Sequence, residues 1–100
     1  MPAPPLDTSQ QRGYAAAARR EDARDPSCDL TGPVLAAVMY VDHATHAARA
    51  RATLPTALAL CAAGTHLDRT DALTLALYRY AHSGAYARAV LAVADEYGAA

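Results

Sequence analysis

Between residues 71 and 84 the apolar positions recur with helical period on two opposite sides. Leu73, Ala76, Leu77 and Tyr80 share one face, and Leu75, Tyr78 and His82 share the other. A helix apolar on both sides is expected at the centre of a bundle, with neighbours packed on each side. The rest of the chain divides around this segment. Residues 1–6 are proline-rich and predict a flexible arm ahead of a single domain at 7–100. Asp7, Thr8 or Ser9 caps a first helix over 10–24. Its only large apolar side chain is Tyr14, and its second half is crowded with Arg19, Arg20, Glu21, Asp22 and Arg24, so this helix is expected to be the most loosely held. Pro26 stops it.

Thr31-Gly32-Pro33 opens a second helix over 33–53, closed by Leu54-Pro55. Val34, Val38, Val41, Thr45, Ala48 and Ala52 form its main stripe, at the alternating four and three spacing of a seam against another helix. A short third helix over 56–63 carries Leu58, Leu60 and Cys61, with Gly64 as a left-handed terminator. Asp68 or Thr70 caps the helix at 71–84, which Gly84 ends. A last helix over 85–97 presents Tyr86, Val90, Val93 and Tyr97, and Gly98 ends it. No stretch alternates with period two for long enough to form a strand. The expectation is an all-α fold: a compact bundle of four main helices plus one short helix, with a C-terminal antiparallel helical hairpin.

Composition strengthens the helical reading. Alanine makes up roughly a quarter of the chain, well above ordinary usage. Alanine, leucine and arginine are among the best helix formers. Six tyrosines are the only aromatic residues, and every fixed positive side chain is an arginine. The net charge of −1 gives no electrostatic case for nucleic acid. No apolar run approaches the roughly 20 residues that span a bilayer. Met-Pro-Ala-Pro-Pro-Leu-Asp has no basic segment leading into an apolar one, so a cytoplasmic location is expected. There Cys28 and Cys61 are expected as free thiols, a single disulfide being the lesser alternative.

The chemistry-bearing residues are few. Asp42, His43 and His46 fall within one turn of the second helix, and two imidazoles with a carboxylate are a donor set for zinc. His66 or His82 is available as a further ligand. Against this stands a solvated patch in which Asp42 partners the histidines. Neither cysteine has a second cysteine nearby, so Cys-x-x-Cys chemistry is absent, as are glycine-rich phosphate loops. No catalytic constellation and no cofactor motif emerges.

Tyr80, Gly84, Tyr86 and Ala89 place an aromatic, a turn glycine and Tyr-x-x-Ala in the order of one tetratricopeptide-type hairpin, and residues 73–97 resemble that family. The resemblance implies a protein-binding scaffold, although a stable array of such units needs at least three repeats and only one hairpin is present. Leu67-Asp68 followed by two helices is similar to ribbon-helix-helix DNA-binding domains, with a strand too short and not basic. Residues 57–73, turning at Gly64, resemble a helix-turn-helix whose second helix offers Arg69 to phosphates.

Surface phase gives the leading functional expectation. Leu35 and Met39 lie off the valine stripe of their helix, and Leu75, Tyr78 and Leu91 lie off the best stripes of theirs. Apolar side chains in excess of what a small bundle buries indicate a partner. The chain is therefore read as a small helical protein–protein interaction module, an adaptor or a self-associating protein, using Leu35, Met39, Leu75, Tyr78 and Leu91. A small DNA-binding transcriptional regulator and a metal-binding protein using Asp42, His43 and His46 are the alternatives.

Overall fold

The computed structural model describes residues 8–45 and 53–99. It contains five helices: α1 (Thr8–Arg24), α2 (Gly32–Thr45), α3 (Thr53–Ala63), α4 (Thr70–Ala81) and α5 (Gly84–Ala99). No strand occurs among the described residues. The all-α expectation holds, and the helices fold into a near-isometric body with a radius of gyration of 12.0 Å, about that of a close-packed chain of this size. The arm at 1–6 and the second-helix segment with Ala48 and Ala52 lie outside the described residues.

The centre of the bundle is α2, not the helix at 71–84. Val34, Leu35, Ala36, Ala37, Val38 and Met39 are buried in unbroken succession, followed by Val41 and Asp42. A helix is enclosed all round only when neighbours stand on several sides, and α2 packs against α1, α3 and α5. By contrast, among the described residues the backbone of α4 comes close only to those of α3 and α5. It buries Leu73, Ala76 and Leu77 on one face and leaves Leu75 and Tyr78 outside. One consequence is a correction to the expected partner surface: Leu35 and Met39 are core residues.

The enclosure of α2 depends on the small residues of α1. Ala17 and Ala18 are buried, and the backbone of Ala15 lies so near Gly32 that a Cβ there would stand 3.1 Å from the Ala15 Cα. Alanine and glycine let two helix axes come close, so a helix with little apolar area covers a neighbour well. The expectation of a loosely held first helix overlooked this.

Caps and turns set the ends. Thr31 Oγ1 accepts the Val34 N–H at 3.4 Å, and Pro55 sits in the first turn of α3, where its missing N–H removes no helical bond. The cap of α4 is Arg69, without a side-chain hydrogen bond, in place of Asp68 or Thr70. At its far end His82 adopts φ 54° and donates its N–H to the Tyr78 carbonyl. Ser83 then caps α5, its Oγ accepting the Tyr86 N–H at 3.1 Å. The helix end expected at Gly84 thus comes earlier, at left-handed His82, and no described glycine has positive φ, Gly64 included. Gly64 is needed for another reason: a Cβ there would lie 3.0 Å from the Ala76 Cβ. Gly98 lies inside α5, which continues past it.

Cys28 and Cys61, expected as free thiols, form a disulfide with a Cα–Cα distance of 5.3 Å across a sequence separation of 33. It ties the α1–α2 loop to the end of α3. Closing a loop of that length stabilises a fold by roughly 3–4 kcal/mol on chain-entropy grounds. The same seam carries hydrogen bonds from the His66 N–H to the Ser27 carbonyl and from the Leu67 N–H to the Cys28 carbonyl, each 2.8 Å. Leu30 and Leu67, both loop residues, are pulled into the core here.

These two glycines are expected to respond oppositely. Gly64→Ala should lower the thermal midpoint by several degrees, because a Cβ at 3.0 Å from Ala76 forces α3 and α4 apart. Gly84→Ala meets only the Arg88 guanidinium at 3.5 Å and should leave the midpoint unchanged or raise it. Equal effects in parallel melts would contradict this assignment.

Candidate functional site

Asp42 lies near the C-terminal end of the described α2, on the side where α4 and α5 meet it. Its side chain is buried. The Tyr86 hydroxyl donates to Oδ1 at 2.7 Å and the Tyr80 hydroxyl donates to Oδ2 at 2.9 Å. The two tyrosine rings tilt against each other with centroids 6.0 Å apart. Tyr80 comes from α4 and Tyr86 from the first turns of α5, so one carboxylate joins both arms of the hairpin to α2. Hydrogen bonds to an ionised acceptor are the strong ones, and a buried carboxylate requires them. Burial raises the Tyr86 pKa far above its ordinary value of 10.0, and the hydrogen bond to Asp42, the Asp42 charge and Tyr80 push it the same way. The phenol is thereby held neutral as a donor.

This placement bears on the metal reading. Of its three residues, His46 and the side chain of His43 lie outside the described residues. A metal at Asp42 would have to displace two hydroxyls already bonded to its oxygens. Among the described residues, no three His, Cys, Asp or Glu side chains are grouped to hold a metal ion. His66 lies at the disulfide seam, its Nδ1 3.2 Å from Asp29 Oδ2, and His82 is exposed at the end of α4. Both His66 and Asp29 have positive φ, at 56° and 53°.

A second group of tyrosines stands between α1, α2 and α5. The Tyr97 hydroxyl is buried without a hydrogen-bond partner. Burial raises its pKa, and the nearby Tyr40 and Tyr14 add to the shift. Five of the six tyrosines are therefore internal or half-buried, and Tyr78 stands apart. Tyr78 is 51% exposed and Leu75 is 49% exposed, one turn apart on the outer face of α4; Leu58 on α3 is 41% exposed. Leu91, the remaining expected surface residue, is half-buried against the core. Leu75 and Tyr78 are thus the two expected contact residues that the fold leaves outside.

The tyrosine–carboxylate clamp was not foreseen. Its signal was present in the retention of tyrosine where phenylalanine is absent: a chain that keeps only hydroxyl-bearing aromatics has hydroxyls to place. The hairpin that resembles a tetratricopeptide unit uses Tyr80 and Tyr86 here to reach Asp42, while Ala89 faces outward. Comparison with models of known protein families, with characterised proteins and with solved structures yields no match.

The two tyrosine groups predict contrasting hydroxyl deletions. Tyr86→Phe leaves one oxygen of buried Asp42 without its donor and should cost roughly 1–3 kcal/mol. Tyr97→Phe removes an unpartnered buried hydroxyl and should be neutral or stabilising. Both phenols have raised pKa values, so the folded state keeps them protonated while the unfolded chain ionises above 10.0. Below that pH neither group makes stability depend on pH, and as pH rises beyond it both make stability fall. Denaturant melts of the wild type should lose stability with rising alkalinity, and Tyr86→Phe should flatten that dependence. An unchanged slope would remove the linkage.

Proposed function

We propose that the protein is a small helical interaction module whose working surface is the outer face of α4. The observation carrying this reading is the exposure of Leu75 and Tyr78, one turn apart on a helix that has its structural contacts on the opposite side. A large aliphatic and a large aromatic side chain, presented together on a backed, rigid helix, suit helix-against-helix recognition. Tyrosine adds a hydroxyl at the rim and brings much contact area for little lost rotamer freedom. With Leu35 and Met39 buried and Leu91 half-buried, Leu75 and Tyr78 are the expected contact residues left exposed, which supports placing the surface on α4.

No helix among the described residues is long and apolar enough to cross a membrane. The Cys28–Cys61 disulfide supports action in an oxidising compartment rather than the cytoplasmic site expected from the chain's N-terminal segment, because glutathione and thioredoxin keep cytoplasmic thiols reduced. The seam supports a structural bond: Cys28 is fully buried and its carbonyl is already bonded to the Leu67 N–H.

Site-specific photocrosslinking tests the surface. A benzophenone side chain at Leu75 should give protein adducts in an extract of the native source, and one at exposed Ala92 on α5 should give few. Equal yields at the two positions would overturn the assignment to α4.

A further inference from the structure

The two sulfurs of the Cys28–Cys61 bridge belong to residues at different depths. Cys28 is fully buried within the core, whereas Cys61 is half-buried and packs against it. The neighbours of Cys61 on α3 face solvent: Leu58, one turn before it, and Ala62, next to it, are exposed. The backbone of Cys28 is fixed by contacts in which sulfur has no part. Its N–H donates to the Asp25 carbonyl at 3.0 Å, and its carbonyl accepts the Leu67 N–H at 2.8 Å. Close by, the Leu30 N–H donates to Asp22 Oδ1 at 2.9 Å. Cys61 lies inside α3, whose end is closed by the Gly64 N–H on the Leu60 carbonyl at 3.2 Å. The two Cα atoms stand 5.3 Å apart, within the range that a disulfide spans.

We infer that the fold forms before the bond, and that Cys61 is the residue through which the bond is made, with a low-molecular-weight disulfide as co-reactant. Thiol–disulfide exchange proceeds by attack of a thiolate on a disulfide sulfur, so the attacking thiol must be reachable. Cys61 meets that condition and Cys28 does not. In the first step the Cys61 thiol gives its proton to solvent and its thiolate attacks one sulfur of the co-reactant. A bond forms to Cys61 Sγ, the S–S bond of the co-reactant breaks, and one thiolate leaves and takes up a proton from water. In the second step Cys28, its proton likewise passed on, attacks Cys61 Sγ from the core side. The Cys28–Cys61 bond forms, the mixed disulfide breaks, and the second thiolate leaves outward. The two cysteines are oxidised together, and the co-reactant is reduced to two thiols. Proximity fixed by the backbone speeds the closing attack, which offsets the difficulty of forming a thiolate away from water. Cys61 is only partly open, which suits a small co-reactant. The inference does not depend on the α4 surface.

Thiol labelling of the full chain, read by peptide mass spectrometry, tests this. The wild type, reduced and freed of reductant, should keep its helicity by circular dichroism. A pulse of iodoacetamide should then alkylate Cys61 at least about tenfold faster than Cys28, because a buried thiol reacts only through local opening. In denaturant that preference should vanish. With oxidised glutathione as the probe, Cys28→Ser lacks the closing thiolate and should hold a stable glutathione adduct at Cys61. Cys61→Ser should acquire its adduct at Cys28 at least about tenfold more slowly. Should a serine variant lose helicity, the wild-type alkylation ratio decides alone. A reduced wild type without helicity overturns the inference, because the bond would then precede the fold. In the folded chain, a smaller ratio or a faster Cys28 overturns the assignment to Cys61.

Discussion

One carboxylate joins three helices. Asp42 accepts a hydrogen bond on each oxygen, one from α4 and one from α5, and its side chain is buried. The requirement that a buried carboxylate be satisfied fixes where the hairpin sits on α2 more tightly than apolar packing alone would, since packing is tolerant of small slides and two charge-assisted bonds are not. The backbones of α2 and α4 make no close approach of their own among the described residues. Tyr80 therefore couples directly two helices that are otherwise connected through α3 and α5. The hairpin's inner face is directed inward by this clamp, and the outer face of α4, with Leu75 and Tyr78, is left exposed.

A second constraint works at the opposite side. The α1–α2 loop and the start of the α3–α4 loop run together through two backbone hydrogen bonds and the Cys28–Cys61 bridge. Asp22 accepts the Leu30 N–H at 2.9 Å, which turns the chain from α1 toward α2 and helps bring Leu30 inward. Left-handed backbone at Asp29 and His66 is retained where their side chains meet each other. With alanine supplying so much of the helix surface, the bundle has modest apolar area per residue, and covalent closure of a long loop offsets part of that shortfall. The fold is held at one end by ionic hydrogen bonds and at the other by a covalent bond, with close-packed alanine between.

Five helices were legible in the sequence, because proline, glycine and helical periodicity mark them directly, but not every limit: Leu54-Pro55, expected to close the second helix, lies inside α3, which starts at Thr53. The order of burial was not. Helical phase made the helix at 71–84 look central, since Leu75 and Tyr78 balance Leu73 and Leu77. Burial followed instead from the uncharged run at 32–41, a feature that phase analysis discards. The outward positions of α4 are interrupted by Asp71, Thr74 and Arg79, and those polar residues identify the solvent face once charge is weighed beside period. Leu30 and Leu67 escaped notice because loop residues have no periodicity to place them. The disulfide was unreadable from spacing, as two cysteines 33 residues apart are brought together only by tertiary folding. Asp42 was singled out for its histidine neighbours in sequence, whereas its partners, Tyr80 and Tyr86, are distant in sequence and close in space.

A double-mutant cycle on Asp42 and Tyr86 tests the clamp most directly. Asp42→Ala and Tyr86→Phe, singly and together, are measured by reversible denaturant unfolding. If the carboxylate fastens the hairpin, the two losses overlap, and the double variant is more stable than their sum predicts by at least about 1 kcal/mol. Losses that add to within about 0.5 kcal/mol would contradict the account, because residues bonded as these are cannot act independently.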